Sequence, residues 1–236
     1  MKIFETKQAI AAFSDSTDGD LAFYDLTDEG KEKARLMISS KLNRELPLPV
    51  YVNQVHKNDV VQVLKNQPFP DIKTNADGLI TSLENTPIGV YTADCTPLLF
   101  ASDKAVAAVH AGWKSTRLNI GSKAVESFGK NYGVNPNDIT VWIGPCIGQC
   151  CLEMGDEVYE QFVSVDESWS QFFKRMGKWH LNMRALNRYQ LNKAGIPDNQ
   201  IIDYDECTFC HGEKYFSYRR QKARNGSMFS FIVKKV

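Results

Sequence analysis

The chain has 236 residues, 43% of them hydrophobic and 24% charged, which is enough to bury a sizeable core without disulfide staples. Its 28 lysines and arginines balance 28 aspartates and glutamates, so a net charge of zero excludes a global basic field for nucleic acid or an anionic membrane. Charged residues interrupt the start of the chain before any signal-peptide core, and no stretch approaches an uncharged membrane span. The expectation is a cytoplasmic protein whose six cysteines are reduced thiols or metal ligands.

After two short strands, residues 29–46 carry Ala34, Leu36, Met37, Ile38 and Leu42 at mixed helical spacing and stop before Pro47, which predicts an amphipathic helix. Residues 50–55, β-branched and aromatic, predict a strand that delivers His56 at its end. The apolar runs 78–81, 88–92, 98–101 and 105–110 predict strands with tight connections, with Cys95 and His110 near their ends. Gly112 permits a sharp turn before 116–129, where Leu118, Ile120, Ala124, Val125 and Phe128 predict a helix. A strand at 139–143 ends at Gly144-Pro145. Helices follow at 155–163 and 184–195, the second stopped by Gly195 and Pro197, and strands at Ile201 and 229–233 complete the pattern. With no repeat or linker, residues 1–236 are expected to form a single α/β domain.

Three residues in this framework are metal-ligand types, each in a distinct short context: Asn53-Gln54-Val55-His56, Thr92-Ala93-Asp94-Cys95 and Val109-His110-Ala111-Gly112-Trp113. Two imidazoles and a thiolate would leave a fourth position open on a zinc or copper ion, the arrangement of a catalytic site. Spacing alone favours a blander reading, strand-end histidines and a small buried cysteine, because neither interval has the close spacing of a finger or knuckle.

The surrounding sequence shifts the balance. These three motifs, with Ala76-Asp77-Gly78-Leu79-Ile80-Thr81, Ile143-Gly144-Pro145-Cys146-Ile147-Gly148 and Phe216-Ser217-Tyr218-Arg219-Arg220 in the same order, resemble the YfiH-type family over nearly the whole chain. Members are known both as purine nucleoside phosphorylases and as laccase-like polyphenol oxidases. The resemblance implies a four-layer α/β/β/α sandwich with mixed sheets and one metal centre at His56, Cys95 and His110, holding Zn2+ or alternatively Cu2+. It also implies phosphorolysis of adenosine, inosine and S-methyl-5'-thioadenosine, with adenosine deaminase activity beside it. Lys57, Lys114-Ser115 and Ser227 depart from the family's usual glycine, Arg-Gly and arginine.

Phosphorolysis needs a cation for phosphate, and Lys114 and Arg219 are the candidates from their motifs, with Asn53 and Asp77 as further substrate-binding or ligand-orienting residues. The expected partners are a purine nucleoside and phosphate, with the chain a monomer or weak homodimer. Two other chemistries remain open. Copper in the same site could oxidise phenols, although only four histidines rule out a multicopper array. Without metal, Cys95 and His110 could act as a hydrolytic dyad.

Cys207-Thr208-Phe209-Cys210-His211 has the pattern of c-type haem attachment, which the missing export signal argues against. A structural zinc on Cys207, Cys210 and two of Cys146, Cys150 and Cys151 is the rival, but buried reduced thiols that shape the pocket are the favoured expectation. The aromatic segment Trp169-Ser170-Gln171-Phe172-Phe173 is read as packed on the core, with a lid over the purine as the alternative.

Overall fold

The computed structural model describes residues 1–21, 28–71, 73–223 and 226–236. In chain order the elements are β1 Lys2–Glu5, β2 Ala9–Phe13, α1 Asp28–Leu42, β3 Val60–Val63, β4 Gly78–Thr81, β5 Ile88–Thr92, β6 Thr96–Ala101, β7 Val106–Ala111, α2 Trp113–Arg117 and α3 Ile120–Tyr132. They continue with β8 Thr140–Ile143, β9 Glu153–Met154, α4 Asp156–Val163, β10 Phe173–Met176, β11 Lys178–Leu181, α5 Met183–Lys193, β12 Ile201–Asp203, α6 Tyr218–Gln221 and β13 Met228–Lys234.

The strands form a four-stranded antiparallel sheet, β1-β2-β13-β5, and a mixed six-stranded sheet, β12-β8-β6-β7-β4-β3, parallel only at its two outer pairs. Their facing sides bury Ala11, Phe13, Val90 and Ile232 against Leu79, Leu99, Ala108 and Trp142. Strands buried on both faces cannot alternate polar and apolar side chains, which is why β6 and β7 read as continuous apolar runs. Helices cover the outer faces: Ile120, Ala124, Phe128 and Leu191 of α3 and α5 pack on Leu98, Phe100 and Val109, while Ala34 and Ile38 of α1 pack on Ala12, Phe229 and Phe231. The α/β/β/α sandwich implied by the resemblance is the observed architecture.

Two expected elements differ. Residues 50–55 form only isolated bridges at Val50 and Asn53 rather than a strand. The Gln54 carboxamide takes the place of a backbone partner, donating to the Tyr91 carbonyl at 2.8 Å and accepting from the Tyr91 N–H at 2.7 Å. The helix expected at 116–129 is split into α2 and α3 by Asn119, whose φ of +58° is left-handed. Gln190 and Asn58 bond the carbonyls of Thr116 and Leu118 at this break, so it leaves those acceptors satisfied.

A satellite sheet, β10-β11-β9, lies outside the sandwich. With α4 and the start of α5 it encloses a smaller core around Phe162, Trp169, Phe173 and Leu181. Trp169 is 5% exposed and packs on Phe162 at a ring separation of 6.0 Å, so it is a core residue and not a lid. Ile147, Leu152 and Met183 belong to this core and also face the cavity next to the metal-ligand residues. Among the described residues, no helix is long and apolar enough to cross a membrane.

Candidate metal centre and adjoining cavity

His110 sits near the end of β7, Cys95 in the turn between β5 and β6, and His56 in the irregular segment before β3. The ligand atoms of all three lie within 4.8 Å of one another, and the two imidazole rings meet edge to face with centroids 4.8 Å apart. Residues 39 and 15 positions apart in sequence thus converge, with His110 opposite Pro97 in the β6–β7 pairing and Cys95 in the turn that leads into β6.

Asp77 organises the convergence. Fully buried, it accepts from His110 Nδ1 at 2.8 Å and from the backbone N–H groups of Val55, His56 and Lys57 at 3.2, 2.9 and 2.7 Å. A carboxylate only accepts, so His110 carries its proton on Nδ1 and turns Nε2 toward the other donors. The same oxygens hold the 55–57 loop in the bend where His56 adopts φ +58°. Asp77 is therefore a positioning residue. Of the two roles expected for it, its burial and its partners on both oxygens favour ligand orientation over substrate binding.

Asp94 does comparable work for Cys95. It adopts φ +93°, costly for a residue with a Cβ, and is held there by the Thr208 hydroxyl at 2.6 Å on one oxygen and the Arg219 N–H at 2.7 Å on the other. Gly112 completes the cradle: a Cβ there would lie 2.9 Å from His56 Cδ2 and 3.0 Å from Cys95 Sγ. Its φ of −68° suits any residue, so the glycine is required by the space the ligands occupy rather than by backbone freedom.

Burial by itself pushes the Cys95 thiol up, but the His110 imidazolium and hydrogen bonds from both histidines outweigh it and bring the thiol down to about 6. Burial likewise pushes His110 down, and the Cys95 thiolate and Asp77 carboxylate lift it to about 9. Asp77 is held below the usual carboxylate range: burial opposes ionisation, but His110 and the N–H groups of Lys57 and His56 prevail. Thiolate and imidazolium form an ion pair whose proton a metal ion can displace. The donor set, its mutual reach, the orienting carboxylate and the Gly112 cradle all fit zinc bound by three protein ligands.

Above the triad lies a cavity of about 650 Å³ lined in part by Tyr91, Trp113, Ile147, Met183, Tyr218 and Arg219. This size and mixed lining suit a small-molecule ligand. Arg219 faces the cavity, with Nη1 donating to the Glu153 carbonyl at 3.1 Å. Arg220 points elsewhere and braces the turn through the carbonyls of Thr208, Phe209 and Tyr215. Asn53 lies on the rim, its amide donating to Asn75 at 2.7 Å. Lys114 does not line the cavity: it is exposed, with its ammonium 5.5 Å from the centroid of the Trp113 ring. The side chain of Lys57 is exposed, and Ser227 is buried with its N–H on Asp20.

The Gly144-Pro145 turn offers no free amides for an anion, since the N–H of Gly144 is bonded to Pro97 and that of Cys146 to Glu206. His180 bonds the Gln149 carbonyl through Nδ1 at 2.8 Å and does not line the cavity. The roles of Gln54, Asp94 and Gly112 escaped sequence reasoning. Only the glycine in His-Ala-Gly-Trp offered a readable signal, and its cause is contact across the fold.

A layered α/β/β/α fold with two histidines and one cysteine gathered under a cavity defines a class of α/β proteins built around a compact histidine–cysteine centre. The family model described as multi-copper polyphenol oxidoreductase laccase matches residues 15–235, and the chain belongs to this YfiH-type family. The purine nucleoside phosphorylase YfiH of Escherichia coli (strain K12) is 37% identical over 187 residues, which cover 78% of this chain and 73% of the relative. A protein named adenosine deaminase RL5, from an unknown prokaryotic organism, is 33% identical over 213 residues, covering 86% and 81%. The crystal structure of a Bacillus licheniformis hypothetical protein YfiH superposes with a TM-score of 0.87 at 29% identity over 96% of this chain and 93% of that one.

Proposed function

We propose that this protein is a zinc-dependent purine nucleoside phosphorylase, taking adenosine, inosine and S-methyl-5'-thioadenosine, with adenosine deamination as a second reaction of the same centre. The observation that carries the reading is the meeting of the His56–Cys95–His110 triad with an aromatic-lined cavity that also presents Arg219. Relatives named as a purine nucleoside phosphorylase and an adenosine deaminase support it.

In this reading His56, Cys95 and His110 hold the ion. Zinc held there supplies Lewis acidity toward the bound substrate. Tyr91, Trp113 and Tyr218 supply aromatic surface for the purine, while Ile147 and Met183 exclude water from one side. Arg219 holds phosphate through guanidinium N–H groups beyond the one on Glu153, aligning it for attack on the ribose anomeric carbon. A bond from a phosphate oxygen to that carbon forms as the glycosidic bond breaks, and the proton of hydrogen phosphate passes to the departing purine, so adenosine and phosphate give adenine and ribose 1-phosphate. Asp77 keeps His110 and His56 in place, and Asp94, on the cavity wall, keeps the turn that carries Cys95.

The test is an assay of zinc-loaded protein with adenosine and phosphate that resolves adenine, ribose 1-phosphate and inosine. Phosphate-dependent adenine release supports phosphorolysis, and inosine formed without phosphate supports deamination. The family's laccase description favours a second reading in which copper occupies the triad, since copper outranks zinc at nitrogen and sulfur donors. Phenol oxidation appearing only after copper loading would mark it as an effect of the metal supplied.

A further inference from the structure

Far along the chain from the triad, the structure draws together four more cysteines. Cys150 and Cys151 follow the Gly148 turn, and Cys207 and Cys210 flank a second turn 57 to 60 residues later. Their sulfurs all lie within 4.8 Å of one another. The Cys150–Cys151, Cys151–Cys210, Cys150–Cys210 and Cys150–Cys207 separations are 3.4, 3.5, 3.7 and 3.8 Å. None is bonded as a disulfide. Four thiolates bound tetrahedrally to zinc at about 2.3 Å have sulfur–sulfur edges of about 3.8 Å, so the sulfurs stand close to the corners of a zinc tetrahedron.

Independent features agree. The N–H of Gly148 donates to Cys207 Sγ at 3.1 Å, the bond that favours a thiolate. A Cβ on Gly148 would come within 3.2 Å of Cys150 Sγ and 3.3 Å of Cys207 Sγ, so the turn leaves little room for a side chain beside the sulfurs. Cys150 and Cys210 are exposed and Cys151 and Cys207 half-buried, contrary to the expectation of buried reduced thiols. Exposed thiols in mutual contact oxidise readily unless a metal ties them up. Cys146, a candidate ligand by spacing, is excluded: it is buried, with Sγ accepting from Arg184 at 3.5 Å.

We propose that Cys150, Cys151, Cys207 and Cys210 form a second, structural zinc site that clamps the 146–152 segment to the 207–210 turn and fixes one wall of the cavity. Ile147 and Leu152 of the first segment line the cavity, and Thr208 of the second holds Asp94 beside Cys95. The four-thiolate set is closed, with no position left for substrate. Its role is to join two segments that no strand pairing joins beyond the Cys146–Cys207 bridge.

The test uses the purified full chain with zinc under reducing conditions. Wild type is expected to hold about two zinc ions, with about one remaining in Cys207→Ser/Cys210→Ser and about one in His56→Ala/His110→Ala. Cobalt should give the intense sulfur-to-metal charge transfer of a four-thiolate centre in the histidine variant and lose it in the cysteine variant. If the cysteine variant fails to fold, alkylation of wild type decides: zinc should protect all four cysteines from N-ethylmaleimide, and chelation should expose them. One zinc ion in wild type and in the cysteine variant alike, equal labelling with and without zinc, or a mass deficit from disulfides would overturn the proposal. Each readout is independent of any nucleoside activity.

Discussion

Asp77 and His110, 33 residues apart, are joined by a 2.8 Å hydrogen bond in a site where neither is more than 3% exposed. The same carboxylate holds the loop that carries His56, so one buried group sets two of the three prospective ligands. Replacing it with asparagine keeps the shape but removes the charge and allows the wrong histidine tautomer. Asp77→Asn should weaken zinc binding roughly 10–100-fold, as loss of an orienting carboxylate does elsewhere. Chelator competition measures this, and unchanged affinity would show that His110 needs no such partner.

Gly112→Ala should release zinc from the triad while leaving the fold intact. The new methyl group would meet His56 at 2.9 Å and Cys95 at 3.0 Å, whereas the backbone there is already favourable for alanine. Metal content and circular dichroism read the two effects separately. A variant with native zinc and native activity would show that the cradle tolerates expansion.

Arg219 and Lys114 were equivalent as sequence candidates, but only Arg219 faces the cavity. Arg219→Lys should raise the Michaelis constant for phosphate by about 10-fold or more, since a charge-assisted hydrogen bond contributes about 1.5–3 kcal/mol. Lys114→Ala should leave it nearly unchanged. The reverse ranking in steady-state kinetics would place phosphate elsewhere.

Trp169→Ala should behave as a core deletion. Its indole packs between Phe162 and the rest of the satellite core, so the loss should destabilise the protein by about 3–5 kcal/mol. Chemical denaturation gives the stability change. A lid residue would do the opposite, raising the Michaelis constant for nucleoside with little loss of stability.

Much of the sandwich could be read directly, because period and punctuation are local: the runs at 78–81 and 88–92 coincide with β4 and β5. Position 119 was opaque, since the apolar spacing across it suits one helix and only the left-handed Asn119 breaks it. The 50–55 segment misled for a different reason, as Gln54 pairs with the Tyr91 backbone through its side chain, an option that strand propensity ignores. His56, Cys95 and His110 were legible through their motifs, but the duties of Asp94 and Gly112 depend on contacts with residues distant in the chain. The cysteine tetrad was legible as a set of candidates only. Which of Cys146, Cys150 and Cys151 joins Cys207 and Cys210 is decided by where the Gly148 turn aims their sulfurs.

If the His56–Cys95–His110 triad both holds zinc and is the seat of phosphorolysis, removing one of its donors abolishes both properties together. The most direct measurement is adenine and ribose 1-phosphate formation from adenosine and phosphate by zinc-loaded wild type and Cys95→Ala, with zinc counted in both. The variant should form neither product and bind about one zinc ion fewer than wild type. Undiminished phosphorolysis by Cys95→Ala, or none by zinc-loaded wild type, would show that the triad is not the seat of this reaction.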